Sequence, residues 1–166
     1  MESVTKVRVV IQQCLKAKLE VKPSDKDRNG SEYVEIGQGM VIFICFKQNA
    51  SEDILDKIVK SVLGVKLCES KSGKLVSILE LPGDMLIIPQ ACLGGKMKGK
   101  AVQYHGLIEK DNGVKLYHSF VELCQHMVSN NPKSIEMGTV VKNGIYGNRQ
   151  VLCMDTNGPF THVFDF

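Results

Sequence analysis

The heptapeptide Met40-Val-Ile-Phe-Ile-Cys-Phe46 constrains this chain more than any other stretch. Every position is apolar, and β-branched and aromatic residues dominate, so the segment reads as a strand. A strand with no polar side to offer water has to be covered on both faces, which sets it in the middle of a sheet.

The flanking sequence supplies the partners. From Thr5 to Gln13, Val7, Val9 and Ile11 alternate with Arg8, Val10 and Gln12, and Lys18-Leu-Glu-Val-Lys22 repeats the pattern, giving two half-buried strands. Pro23 to Ser31 is a polar loop. Ser51-Glu-Asp carries an N-cap and an acidic first turn; Ile54, Leu55, Ile58, Val59, Val62 and Leu63 then mark one helical face, ended by Gly64. Further strands are expected at Val65 to Glu69, Leu75 to Glu80 and Met85 to Pro89, turning at Lys71-Ser-Gly-Lys74 and Leu81-Pro-Gly-Asp84. After a Gly- and Lys-rich loop, Leu116, Phe120, Leu123, Cys124, Met127 and Val128 recur at helical spacing within Val114 to Ser129, and Asn130-Asn-Pro132 ends that helix. Strands at Ile135 to Lys142, Gln150 to Met154 and Phe160 to Phe166 close the chain. The expectation is one α+β domain over residues 1–166, with largely antiparallel sheet closing toward a barrel and two main helices.

Composition narrows the functional classes. A chain of 166 residues suits one core, and no apolar run reaches the ~18 residues that span a bilayer. The segment Met1 to Arg8 has no apolar run followed by a small-residue cleavage site, so cytoplasmic residence is expected. The six cysteines, Cys14, Cys45, Cys68, Cys92, Cys124 and Cys153, are scattered singly, as free thiols acting as small hydrophobes would be. With 21 basic and 18 acidic residues the net charge is +3, too mild to demand a polyanionic partner.

Gly94-Gly-Lys-Met-Lys-Gly-Lys100 fits the phosphate-loop spacing GxxxxGK, but Ala101 stands where Mg²⁺ needs a hydroxyl, and no helical face follows. Lys96, Lys98 and Lys100 suit either a nucleic-acid backbone or plain solvation. His105, His118, His126 and His162 show no metal-ligand spacing, and no metal or cofactor is expected. A thiolate at Cys92 with His162 as its base is conceivable; a buried, inert Cys92 is preferred. Pro89-Gln-Ala-Cys-Leu93 leaves a strand for a loop, where main-chain N–H groups quit the ladder and become available to a ligand, unless Pro89 merely ends an edge strand. Asp155-Thr-Asn-Gly-Pro-Phe-Thr-His162 is a rigid corner close to the end of the chain.

These two segments, with Val7-Arg-Val-Val-Ile-Gln12, Gly37-Gln-Gly-Met-Val-Ile-Phe43, Ser77-Ile-Leu-Glu-Leu-Pro-Gly-Asp-Met-Leu-Ile-Ile-Pro-Gln90 and Leu116-Tyr-His-Ser-Phe120, resemble the D-aminoacyl-tRNA deacylase family nearly end to end. Pro89-Gln-Ala-Cys-Leu93 and Gly158-Pro-Phe-Thr-His162 resemble its animal branch, which removes L-alanine mischarged onto threonine tRNA as well as D-amino acids; Cys92 departs from the Thr usual there. The resemblance implies an editing hydrolase of the aminoacyl ester that acts as a homodimer on tRNA. In it the N–H groups of Ala91 and Cys92 would face the oxyanion, Gln90 would seat the terminal adenosine, and the substrate 2′-OH would position water. It further implies that Gly158 and Pro159, with Phe160, Thr161 and His162, enter the partner's site beside Pro89 and shape the space around the α-carbon, the Gly-Pro peptide being cis in the main family and trans in the animal branch. Lys96, Lys98 and Lys100 would contact the acceptor stem. A non-catalytic RNA-binding module on the same fold is the alternative.

Overall fold

In the computed structural model, which describes residues 4–22 and 30–166, the chain opens with β1 (Val7–Cys14) and β2 (Lys16–Lys22). Next come β3 (Glu32–Ile36), β4 (Gly39–Phe46), α1 (Leu55–Gly64), the two-residue strands β5 (Cys68–Glu69) and β6 (Leu75–Val76), and β7 (Asp84–Pro89). A 3₁₀ turn (Ala91–Gly94) leads into the hairpin β8 (Lys96–Lys98) and β9 (Ala101–Gln103). The chain continues through α2 (Lys110–Ser129), α3 (Pro132–Met137), β10 (Val141–Asn143), β11 (Val151–Asp155) and β12 (Thr161–Asp165).

β4 explains the architecture. It lies third in a five-stranded sheet of order β10-β7-β4-β1-β12. Met40, Ile42 and Ile44 face α1 and α2, where they pack in one core with Val9, Ile11, Leu55, Ile58, Leu63, Tyr117 and Phe120. Val41 faces the other way, into a second core beneath a three-stranded sheet of order β11-β2-β3, with Cys14, Ala17, Leu19, Ile36, Leu86 and Ile88. Apolar residues at every position are what a strand between two cores requires, and each fully buried Ile or Leu stabilises the fold by about 1.5–3 kcal/mol. Gly39 sits where β4 meets β7 at close approach: a Cβ there would lie 1.8 Å from the Asp84 carbonyl oxygen.

The fold is α+β, and its β1–β4, β1–β12, β2–β3 and β2–β11 pairs are antiparallel. The β4–β7 and β7–β10 pairs are parallel, their crossovers carrying α1 and α2. The expected barrel does not close, because β10 and β12 end the sheet as separate edges.

Several boundaries differ from expectation for local reasons. The strand expected at Leu75 to Glu80 stops at Val76, because the Ser77 N–H donates to the Glu80 carboxylate at 2.8 Å and the Glu80 N–H to Ser77 Oγ at 3.3 Å; this reciprocal pair turns the chain. The strand expected at Ile135 to Lys142 is instead α3 followed by β10: Pro132 occupies the first turn, Asn131 Nδ2 donates to Ser134 Oγ at 2.7 Å, and Gly138 ends the helix with φ of 64°. The strand expected at Val65 to Glu69 shrinks to Cys68–Glu69. α2 starts at Lys110 rather than Val114, since Gly113 is tolerated inside the helix where Tyr146 packs over it. Ser51 precedes the first helix in extended conformation, but its hydroxyl hydrogen-bonds the Asp53 carboxylate and not a backbone N–H. Most of the loop expected at Pro23 to Ser31 lies outside the described residues.

Candidate active site

β7 is buried until Pro89, which pairs with Ile44. The Gln90 N–H makes a final rung to the Ile44 carbonyl at 2.9 Å, and the chain then tightens into the 3₁₀ turn Ala91–Gly94. The Leu93 and Gly95 N–H groups are taken within the turn, by the carbonyls of Gln90 (3.3 Å) and Cys92 (3.1 Å). Among the described residues, the N–H groups of Ala91 and Cys92 have no acceptor, as the first turn of a helix dictates. Two side chains of the sheet beneath hold the turn by its carbonyls: Cys45 Sγ donates to the Ala91 oxygen at 3.6 Å and an Arg8 Nη to the Leu93 oxygen at 3.4 Å. Arg8 is itself held by Asp165 through two hydrogen bonds of 2.8 and 2.9 Å, and the guanidinium keeps the Asp165 carboxyl below the usual carboxylate range. Burial pushes the Cys45 thiol up, so it stays a protonated donor.

Cys92 is exposed, which corrects the expectation of a buried thiol; Gln90 Nε2 lies 3.1 Å from its sulfur. Cys153 is exposed as well, whereas Cys14, Cys45 and Cys124 are buried as small hydrophobes, and no cysteine is paired.

The corner before β12 has the opposite character. Gly158 adopts φ of 130°, a value that L side chains rarely reach, and no described peptide bond is cis, so Gly158–Pro159 is trans. The Gly158 carbonyl accepts from the Phe160 N–H at 2.9 Å and from Gln12 Nε2 at 3.4 Å, while Thr161 Oγ1 hydrogen-bonds Gln12 Oε1. His162 lies between aromatic rings, 4.8 Å edge-on from Phe160 and 6.2 Å stacked against Phe164, with Nδ1 buried and unpartnered among the described residues. Within one chain β4 and β1 stand between it and the end of β7, so it does not serve as a base for its own chain's Cys92.

Within one chain the two segments stand apart. Thr161 pairs with Gln12, whereas Pro89 lies in the row Ile44, Val9, Phe164. The separation is three strand spacings across the sheet, roughly 14 Å, and three residues along it, roughly 10 Å. The structure thus groups Pro89, Gln90, Ala91 and Cys92, and separately Gly158, Pro159, Phe160, Thr161 and His162. Clefts of about 430 Å³, between Lys16, Glu35 and Cys153, and about 340 Å³, between Gln125, Ile135 and Thr139, include neither group. The sheet face joining the two groups is only half covered: the three-stranded layer reaches Val41 and Leu86 but leaves Val163 60% exposed.

Lys96 and Lys98 lie on β8, with Lys100 after Gly99 (φ 61°) at the hairpin turn, all three exposed. This hairpin replaces the expected loop. Strand alternation sets Lys96 and Lys98 on one face and Met97, 83% exposed, on the other. Arg8, Gln12, Cys45 and Asp165 were not singled out from the sequence; Gln12 lies between Ile11 and Gln13, and no local pattern marks it. Among the described residues, no group of three His, Cys, Asp or Glu side chains is arranged to hold a metal ion.

The model of the D-Tyr-tRNA(Tyr) deacylase family matches residues 10–165. A Danio rerio protein named D-aminoacyl-tRNA deacylase 2 is 56% identical over 161 residues, covering 97% of this chain and 99% of that protein. A Homo sapiens protein of the same name is 49% identical over 163 residues, covering 98% and 96%. A solved structure described as a probable eukaryotic D-amino acid tRNA deacylase superposes with a TM-score of 0.79 at 30% identity, over 97% of this chain and 100% of that one. The c-Myc DNA unwinding element binding protein, at 21% identity and a TM-score of 0.77, shares the fold.

Proposed function

The chain belongs to the D-Tyr-tRNA(Tyr) deacylase family, and from that premise we propose that residues 1–166 act as one editing domain that hydrolyses the ester of mischarged L-alanyl-tRNA(Thr) and of D-aminoacyl-tRNAs. The observation that carries the reading is the pair of N–H groups at Ala91 and Cys92, unpartnered among the described residues, on a turn whose Ala91 and Leu93 carbonyls are tied to Cys45 and Arg8. Fixed donors with no internal acceptor are what a developing oxyanion needs, because they do not have to reorganise as charge appears.

In the proposed reaction, water attacks the carbonyl carbon, the oxyanion is received by the Ala91 and Cys92 N–H groups, and the bond to the ribose oxygen breaks. The free amino acid leaves, and the tRNA 3′ oxygen takes a proton. The ester is already activated, so orientation and oxyanion stabilisation are the main demands. The substrate's own 2′-OH positions the water and marks the substrate as RNA. Gln90 seats the terminal adenosine.

The second wall comes from a second copy in a homodimer. Gly158-Pro159 of one subunit, backed by Phe160, Thr161 and His162, faces Pro89 to Cys92 of the other. Three features support this: one chain holds the two segments apart, no cleft described above includes either of them, and the intervening sheet face is partly bare around Val163. The trans Gly158–Pro159 peptide accords with a pocket admitting small L-residues. Lys96, Lys98 and Lys100, on the hairpin immediately after the turn, contact the acceptor-stem backbone. No described helix is long and apolar enough to cross a membrane, and the substrate points to the cytoplasm.

Incubation with L-alanyl-tRNA(Thr) and a D-aminoacyl-tRNA tests the proposal. Release of both amino acids at catalytic protein concentration is expected; tight binding with the ester left intact would make the chain a non-catalytic RNA-binding module.

A further inference from the structure

We infer that Gln12 is a positioning residue that sets the selectivity of the site by clamping the Gly158-Pro159 corner from within its own chain. The inference rests on the editing reading above and assigns a role to a side chain outside both segments of that site.

Gln12 lies on β1 and is only 6% exposed. An unsatisfied amide there would be destabilising, so its partners explain its presence. Its Nε2 donates to the carbonyls of Gln13, at 2.9 Å, and Gly158, at 3.4 Å, and its Oε1 accepts from the Thr161 hydroxyl. The chemistry fixes this orientation, since the flipped amide would set an oxygen against two carbonyls. One side chain therefore grips both sides of the corner: the carbonyl before Pro159 and the first residue of β12. The Phe160 N–H adds a third hold, again on the Gly158 carbonyl.

The corner needs such a device. A Cβ at Gly158 would meet no atom within 4 Å, and the flanking Asn157, Pro159 and Phe160 are exposed, so hydrogen bonds hold the corner more than packing does. Gln12 acts on the wall of the pocket rather than on the ester, and its loss should blur which acyl group is accepted more than it slows the best substrate. Discrimination between acyl groups differing by a few atoms rests on modest energy differences, so a slackened wall is expected to lower the ratio of kcat/KM for L-alanyl over L-threonyl ester on the same tRNA by about tenfold.

The test uses Gln12→Met, close in volume, and Thr161→Val, which removes only the hydroxyl; either suffices if the other fails to fold. Two quantities are read in each variant: amide hydrogen exchange at Phe160, referenced to β4 amides, and the L-alanyl to L-threonyl ratio. The expected result is exchange at Phe160 faster by about tenfold, with β4 unchanged, together with the fall in the ratio. A folded variant with faster exchange and an unchanged ratio would overturn the selectivity role. A lower ratio with unchanged exchange would overturn the clamp. Should the unaltered protein hydrolyse neither ester, the editing reading fails while the exchange measurement still decides whether Gln12 holds the corner.

Discussion

Two turns flank the same sheet, and they are built in opposite ways. At the end of β7, Ala91 and Cys92 keep their N–H groups unpartnered among the described residues while the Ala91 and Leu93 carbonyls are secured. Before β12, the Gly158 carbonyl takes two donors and the Thr161 hydroxyl is engaged. A turn with spare donors is suited to receiving charge, and a turn whose central carbonyl is held by two donors is suited to being a wall. On the proposed reading chemistry belongs to the first and shape to the second, and different responses to mutation are expected.

The largest expected effect is at the donor turn. Ala91→Pro deletes one N–H that has no partner among the described residues, at the first position of a 3₁₀ turn after a residue outside the α region that proline disfavours in its predecessor (φ −139°, ψ 86°), so the fold should tolerate it. Single-turnover deacylation should fall by about 10²–10³-fold with little change in Tm. Retained activity would remove the Ala91 N–H from the mechanism.

Gly158→Ala comes next. The new Cβ meets open space, but φ of 130° disfavours it, so the corner must shift. A displaced wall should cost about 10²-fold in kcat/KM for L-alanyl-tRNA(Thr), measured against Tm to separate displacement from unfolding.

Replacing Lys96, Lys98 and Lys100 by Ala tests a region that belongs to neither turn. Salt titration of tRNA affinity should lose about 2–3 units of slope, while kcat at saturating tRNA holds. An unchanged slope would detach the hairpin from the nucleic acid.

The smallest effect belongs to Cys92→Ala. The substitution keeps the backbone N–H and removes only a sulfur contacted by Gln90 Nε2 at 3.1 Å, so steady-state activity should stay within about threefold of the unaltered protein. Abolished turnover in a folded variant would favour thiol chemistry instead.

How far the sequence foretold this arrangement depends on the range of the interaction. β4 was readable because each of its residues is apolar, and α1 because its apolar positions recur at helical spacing. The β8–β9 hairpin was not, since lysines, glycines and one methionine give no alternation that separates a strand from a loop. The reciprocal Ser77 and Glu80 bonds and the Pro132 and Gly138 helix bounds were written in local signals that a strand-like apolar content outweighed. Of the site, the strand exit at Gln90 to Cys92 and the Gly158-Pro159 corner stood out by turn chemistry, and their roles came from family resemblance; periodicity marked neither. Their separation within one chain follows from the strand order β10-β7-β4-β1-β12, a long-range property no local pattern encodes. Gln12 read as one of the residues alternating with the core positions of β1, and only its contacts with the corner reveal why it is buried.

The most direct test of a site shared between copies is complementation. Chains carrying Ala91→Pro and chains carrying Gly158→Ala, each nearly inactive alone, are co-expressed with different tags. If the donor turn of one subunit works against the corner of the other, half of the randomly formed dimers hold one fully intact site, and the mixture should recover about one quarter of unaltered activity on L-alanyl-tRNA(Thr). Mixed dimers no more active than either parent would contradict the shared site.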